Sequence, residues 1–439
     1  MNDYQTNTSV EIIKEFRQFK KELEDIPINK NLVTIQIAYI PLWPDNYSYD
    51  TFGLPSKKMV YFYRLAPVNG NGNLFTEIGR EDCPGDNEQS DFWKEKLKTH
   101  FPAQPNKYKC VLVWGHAFGY GFFQEMISTS QDGSVHFKEK YLEIMNQEKG
   151  KLLPMGNWIL PPKEICRKMD TLQSLKAILR MEELALALEG AYGKQGVDIL
   201  IGHACEIANI YTLYALRNTC MYFLGPQTDI GIPGYNFPEI FSEINQGRPI
   251  SPRKLLEYLV YTFPLNANNR IQYQKEIEET GLSAIDISKV ENIIESLTLL
   301  IKLLNSNCLI YSKEKLVNTR IKFFPMGKNN LFQVDIMTWL RNLKESFPNQ
   351  EELLSVILKL EIAIENSLLH TFKGKNIFRY KNIGNRIDNF NDEPVGISIF
   401  YPIKISFDDE LLMTFTICNP VPFIKDHPWW KEFYTNQME

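Results

Sequence analysis

Two short apolar runs, each stopped by a glycine, constrain this chain more than anything else in it. Val197-Asp198-Ile199-Leu200-Ile201 ends at Gly202, and Val111-Leu112-Val113-Trp114 ends at Gly115. Runs of this length suit buried strands, and a glycine lets the backbone turn sharply at their ends. His116 follows the first glycine, and His203 and Cys205 follow the second. Open α/β sheets gather their chemistry at the C-terminal edge of parallel strands. The pattern therefore predicts two parallel strands that bring a cysteine and a histidine to one edge.

The rest of the N-terminal half supports that sheet. Residues 8–28 read as an amphipathic helix. Leu32–Ile40 reads as a strand stopped by Pro41 and Pro44, and Lys58–Leu65 as a second strand rich in aromatics. Residues 69–73 form a loop, and residues 86–101 a helix. Asp170-Thr171 is a candidate cap for a helix to about Ala191. Leu172, Leu175, Leu179 and Leu186 lie on its apolar stripe, with Ile178 beside it. Glu206–Thr219 reads as a helix that begins directly after Cys205. Met221–Leu224 reads as the next strand. Strand–helix–strand–helix–strand order predicts an α/β fold with a mostly parallel sheet flanked by helices.

After about residue 245 the pattern becomes mainly helical. Residues 251–305 carry i, i+3/i+4 spacing at Val290, Ile294, Leu297, Ile301 and Leu304, and residues 350–372 form another helix. Val395–Pro402 and Leu411–Ile417 read as strands. This divides the chain into residues 1–245, with a long excursion at 124–168, and a helical or mixed region at 246–439 packed on it.

A formal net charge of −5 offers no basic footprint, so nucleic acid is not an expected partner. No apolar run approaches the roughly 20 residues of a membrane-spanning helix. The start of the chain carries no basic segment followed by an apolar run, so no signal peptide is expected. Seven cysteines are scattered without a CxxC pair, which points to a reducing, cytoplasmic setting.

A thiol near its reference pKa of about 8.5 needs help to act as a nucleophile at neutral pH. A helix starting at Glu206 would favour the thiolate through its dipole, and His116 would move protons. The backbone amides of Cys205 and Ala117 are the candidate oxyanion donors. Taken singly, Cys205 reads as a small buried hydrophobe and His116 as a structural histidine. A zinc site of His116, His203 and Cys205 competes, with no fourth ligand evident. Cys110 and Cys220, inside apolar runs, read as core residues.

Several stretches, in order, resemble the clostripain-like cysteine peptidases, which share the caspase and gingipain fold. Val111–His116 resembles that family's apolar strand, tryptophan and catalytic histidine. Val197–Asn209 resembles the stretch that holds its nucleophile. Tyr222–Thr228 and Pro233-Gly234-Tyr235 resemble its next strand and specificity loop, and Leu282–Val290 and Val395–Pro402 resemble later segments. The resemblance implies a bacterial-type cysteine endopeptidase with a dyad of Cys205 and His116, a thioester acyl-enzyme, and protein or peptide substrates. It also implies self-cleavage in the excursion, where Lys138, Lys140, Lys149 and Lys151 lie, and a substrate pocket at His203, Asp229, Pro233 and Tyr235.

Three positions depart from the family pattern. His203 stands where the family has aspartate, Pro233 where a second acidic residue falls, and Gly115 where aspartate is common before the histidine. A basic P1 side chain would lack its buried counter-charge, so a non-basic P1 preference is expected. Asp229 is near enough in sequence to supply a substitute charge. No cofactor is expected; calcium helps some relatives, and no acidic cluster argues for it. The alternative reading is a catalytically impaired caspase-fold module with a binding or regulatory role and a regulatory partner.

Overall fold

The computed structural model describes residues 17–25, 35–39, 59–67, 73–82, 89–104, 107–115, 117, 121–123, 178–228, 230, 234–245, 250–268, 280–307, 310–312, 315–316, 319, 333–374, 396–400, 422–430 and 433. Their order begins with α1 (residues 17–25), β1 (Gln36–Tyr39), β2 (Met59–Pro67), β3 (Asn73–Asp82) and α2 (Gln89–His100). β4 (Cys110–Trp114), β5 (Gly121–Phe123), β6 (Ile178–Arg180), α3 (Met181–Tyr192), β7 (Val197–His203), α4 (Ile210–Leu216) and β8 (Cys220–Pro226) follow. Next come α5 (Phe237–Asn245), α6 (Pro252–Asn268), β9 (Gly281–Asp286) and α7 (Val290–Ser306). The chain closes with β10 (Gln333–Asp335), α8 (Ile336–Ser346), α9 (Glu351–Ser367), β11 (Leu368–Lys373), β12 (Ser398–Phe400) and α10 (Pro422–Asp426).

The central sheet has the strand order β11-β9-β8-β7-β4. β4 pairs parallel with β7, and β7 with β8, as the apolar runs predict. β9 is antiparallel to both β8 and β11, so four of the five strands run one way and β9 alone is reversed. Both faces are covered, which is why the strands are continuous apolar runs and not alternating ones. Leu200, Phe223 and Ile285 point to one face, where they join α3, α4, α7 and α9. Ile199, Ile201, Leu224 and Ala284 point to the other, toward α5 and α6. A separate antiparallel sheet, β1-β2-β3, packs Tyr61, Tyr63, Leu65 and Phe75 against Leu23 of α1.

Two of the five central strands thus come from beyond residue 246, a region read from sequence as mainly helical. β9 is too short and too buried to distinguish from a helical segment by period. β11 follows Ser367 without a Gly or Pro to mark the change. β3 also differs from expectation: the hairpin after the 69–73 loop carries Glu77, Arg80 and Asp82, so its strand lacks an apolar run.

The helix expected from Asp170 to Ala191 begins at Met181. Ile178–Arg180 is a strand paired with Gly121–Phe123, and residues 170–177 lie outside the described residues. The buried stripe of α3 is Met181, Leu184, Ala185 and Leu188, whereas Leu186 is exposed. Glu183 accepts from the Arg180 backbone N–H at 2.9 Å and sets the helix start. α7 matches expectation, with Val290, Ile294, Leu297, Ile301 and Leu304 all buried. The 124–168 excursion and the Leu411–Ile417 strand lie outside the described residues.

The aromatic end of the chain contributes to the core. Trp430 and Phe433 are fully buried, and Trp430 Nε1 donates to Tyr211 Oη of α4 at 3.2 Å. Phe423 packs edge-on to Tyr211 and Tyr214. Cys220 is buried as expected; Cys110, the first residue of β4, is exposed and is not core.

Burial pushes the Cys220 thiol up to about 12 from an ordinary value of 9.0. Its folded pKa is raised, so its contribution is whole below about 9 and is lost as pH rises toward 12. Between pH 8 and about 10.5 wild type should therefore lose roughly 2 kcal/mol more stability than Cys220→Val, read by urea denaturation at both pH values.

Candidate active site

The site begins where β4 and β7 end side by side. Trp114 lies opposite His203 in the parallel register. The Gly115 N–H donates to the His203 carbonyl at 3.2 Å, which carries the pairing one residue further. His116 is the next residue and lies outside the described residues. Ala117 is described; it is partly buried and packs against the main core.

Beyond His203 the chain turns through Ala204, Cys205 and Glu206. Cys205 is partly exposed at this turn, on the C-terminal edge of the sheet. The turn lies across the ends of β7 and β8, and two glycines make room for it. A Cβ on Gly202 would fall 1.8 Å from Ile207 Cδ1, and one on Gly225 would meet Phe223 at 2.6 Å and Ile207 at 3.1 Å. Ile207 is fully buried in that gap. Backbone bonds fasten the turn on both sides. Glu206 N–H donates to Thr228 O at 3.0 Å, and Ala208 N–H to Pro226 O at 2.8 Å. From the C-terminal half, Ser398 N–H donates to Ala208 O at 3.0 Å.

One expectation fails here. The helix read as starting at Glu206 starts at Ile210, behind an Asn209 cap. Glu206 has φ of +60°, a left-handed conformation that no helix continues. The field of a helix end fades within about a turn, and α4 is only seven residues long. Its dipole therefore gives the Cys205 thiol little help.

His203 is buried and clamped among aromatic rings. Trp114 stacks on it at 4.4 Å between centroids, and Tyr235 meets it edge-on at 5.7 Å. Gly234, at φ +82°, backs directly onto the imidazole: a Cβ there would lie 2.1 Å from His203 Cε1. Tyr235 Oη donates to the Gly202 carbonyl at 3.0 Å, and burial pushes its phenol well above the usual range. Phe19 closes the cluster against Trp114 and Phe237. The structure thus brings His203 and Tyr235 together beside the Cys205 turn. Asp229 and Pro233 lie outside the described residues. Among the described residues no three His, Cys, Asp or Glu side chains gather as a metal site.

Sequence reasoning missed the buried polar seam behind the turn. Gln227 Nε2 donates to Asp335 Oδ2 at 2.7 Å, and its Oε1 accepts from Gly396 N–H at 3.0 Å. Ser283 Oγ donates to Gly396 O at 2.7 Å, and Gly281 N–H to Thr228 Oγ1 at 2.8 Å. Asp335 also caps α8 by accepting from Thr338 N–H. Gln227 directly follows an apolar strand, where a buried amide has no sequence signal. Asn209 did have one: an Asn before Ile-Tyr-Thr is a recognisable cap.

A partly exposed thiol on a tight turn at the edge of a mostly parallel α/β sheet fits the caspase-like fold of cysteine peptidases. Residues 154–354 match the sequence model described as the clostripain family, so over that span the chain is similar to the clostripain-like cysteine peptidases. A search of curated proteins finds no match. Among solved structures, an inactive zymogen C11 protease from Parabacteroides distasonis aligns at 12% identity over 95% of this chain and 94% of its own, with TM-score 0.56. A secreted C11 cysteine protease from Bacteroides thetaiotaomicron, in complex with an irreversible peptide inhibitor, aligns at 13% identity over 96% of each chain, also with TM-score 0.56. At such identities the likeness establishes the shared fold.

Gly202→Ala should destabilise the protein by roughly 1–3 kcal/mol through overpacking against Ile207. Adding Ile207→Ala should recover part of that loss, so the double mutant falls short of the sum of the singles. Urea denaturation of the four proteins measures the coupling.

Proposed function

We propose that this protein cleaves peptide bonds through a thioester formed on Cys205, with His116 as the proton carrier. The observation that carries the reading is the placement of Cys205: a partly exposed thiol just past β7, whose parallel neighbour β4 runs into Gly115-His116. In this mechanism the sulfur attacks the scissile carbonyl. His116 takes the thiol proton and delivers it to the leaving amine, and water then hydrolyses the thioester. The Cys205 and Ala117 amides hold the oxyanion. The Glu206 amide is already committed to Thr228 O.

The same reading assigns a non-basic P1 preference. Where relatives of this kind have aspartate, His203 is buried and sealed by Trp114, Tyr235 and the Gly234 backbone. A lysine or arginine side chain brought against that cluster would lose its water and gain no carboxylate from position 203. Asp229 remains the candidate substitute charge. A reducing, cytoplasmic setting belongs to the proposal too, supported by scattered cysteines of which Cys110, Cys205 and Cys220 form no disulfide.

A fluorogenic peptide panel varied at P1 tests the reading. Turnover should be lost in Cys205→Ala and in His116→Ala, and aliphatic or polar P1 residues should exceed Arg and Lys by at least about tenfold, which is about 1.4 kcal/mol of transition-state binding. Arg or Lys as the best P1 residue would overturn the specificity assignment. Undiminished turnover by Cys205→Ala would overturn the mechanism.

A further inference from the structure

The Cys205 turn is held by the Asn209 side chain as well as by backbone. Asn209 is fully buried, and its amide bonds in two directions. Its Oδ1 accepts from Tyr211 N–H at 3.1 Å and Thr212 N–H at 3.0 Å, capping α4. Its Nδ2 donates to the Glu206 carbonyl at 3.0 Å. The capping bonds stabilise the helix. The third bond does something different, because Glu206 follows Cys205 and sits in the left-handed region at φ +60°.

A non-glycine residue stays in that region only when its surroundings hold it there. The peptide on its N-terminal side is anchored by Glu206 N–H to Thr228 O. The peptide on its C-terminal side carries the carbonyl that Asn209 grips. Together the two bonds set both dihedrals of Glu206, and with them the direction in which the chain leaves Cys205.

We propose that Asn209 is a positioning residue for the Cys205 thiol, acting through the Glu206 carbonyl. The inference rests on Cys205 being the nucleophile. Two substitutions separate gripping from capping. Asn209→Asp keeps an oxygen for Tyr211 and Thr212 but replaces the donor with a second oxygen, which repels the Glu206 carbonyl. Asn209→Ser is uncharged, is also a good cap, and has no N–H to reach Glu206.

The experiment measures melting temperature, kcat and KM for wild type and both variants, using the best fluorogenic peptide of the panel, from about pH 6 to about 9. Both variants should fold but melt below wild type, because each leaves the Glu206 carbonyl without its donor, so kinetics are read well below both midpoints. Both should lose roughly 10- to 100-fold in kcat at every pH with KM little changed, the signature of a misplaced nucleophile. Wild-type kcat in the two variants overturns the proposal. So does a loss confined to Asn209→Asp that disappears at high pH, since that marks the field of a new carboxylate on the thiol. If one variant fails to fold, the other decides. Wild type without Cys205-dependent turnover sinks the nucleophile assignment itself, an outcome distinct from active wild type with unaffected variants.

Discussion

Everything near the thiol depends on how closely the turn after β7 can approach the end of β8. Ile207 must lie flat on two strand ends, and only glycine at 202 and 225 leaves space for it. Given that contact, Glu206 and Ala208 fall within hydrogen-bonding reach of Thr228 and Pro226, and Cys205 is left at the edge. A buried apolar side chain thus sets the height of the turn, and backbone bonds set its direction. Close packing makes such an arrangement unforgiving, because an interior at crystal-like density has no slack for an added methyl group.

The C-terminal half is structurally part of the site. β9 and β11 complete the sheet, Ser398 bonds to Ala208 of the thiol-bearing turn, and Gly396 bonds to Gln227 and Ser283 beside it. Gln227 ties the end of β8 to Asp335 at the start of α8. Trp430 and Phe423 brace α4 from the opposite side. Buried polar groups are costly unless paired, so this seam favours one arrangement of the two halves over near alternatives.

The parallel core was legible because it is buried on both faces. β4, β7 and β8 read as unbroken apolar runs, and their neighbouring placement followed from strand–helix–strand order. Cys205 and His203 were singled out by their position after a glycine. The error lay in the next four residues. Glu206-Ile207-Ala208 has good helical composition, and local propensity alone would continue it into α4. Ile207 instead serves the sheet end, and its burial against Gly202 and Gly225 outweighs a few tenths of a kcal/mol of helix propensity. β11 was hidden for a related reason: no breaker separates it from α9, and only pairing with β9 makes residues 368–373 a strand.

From the amino-acid order alone came the parallel strands β4, β7 and β8 and the edge at which β7 runs into Cys205. Those properties are written in runs of adjacent residues and in the glycines that end them. Tertiary contact alone decided that His203 is sealed by Trp114, Tyr235 and Gly234, that the helix begins at Ile210, and that Ser398 supports the turn. Each joins residues tens to hundreds of positions apart, and the energy of such a contact is a property of neighbours in space that local pattern does not encode.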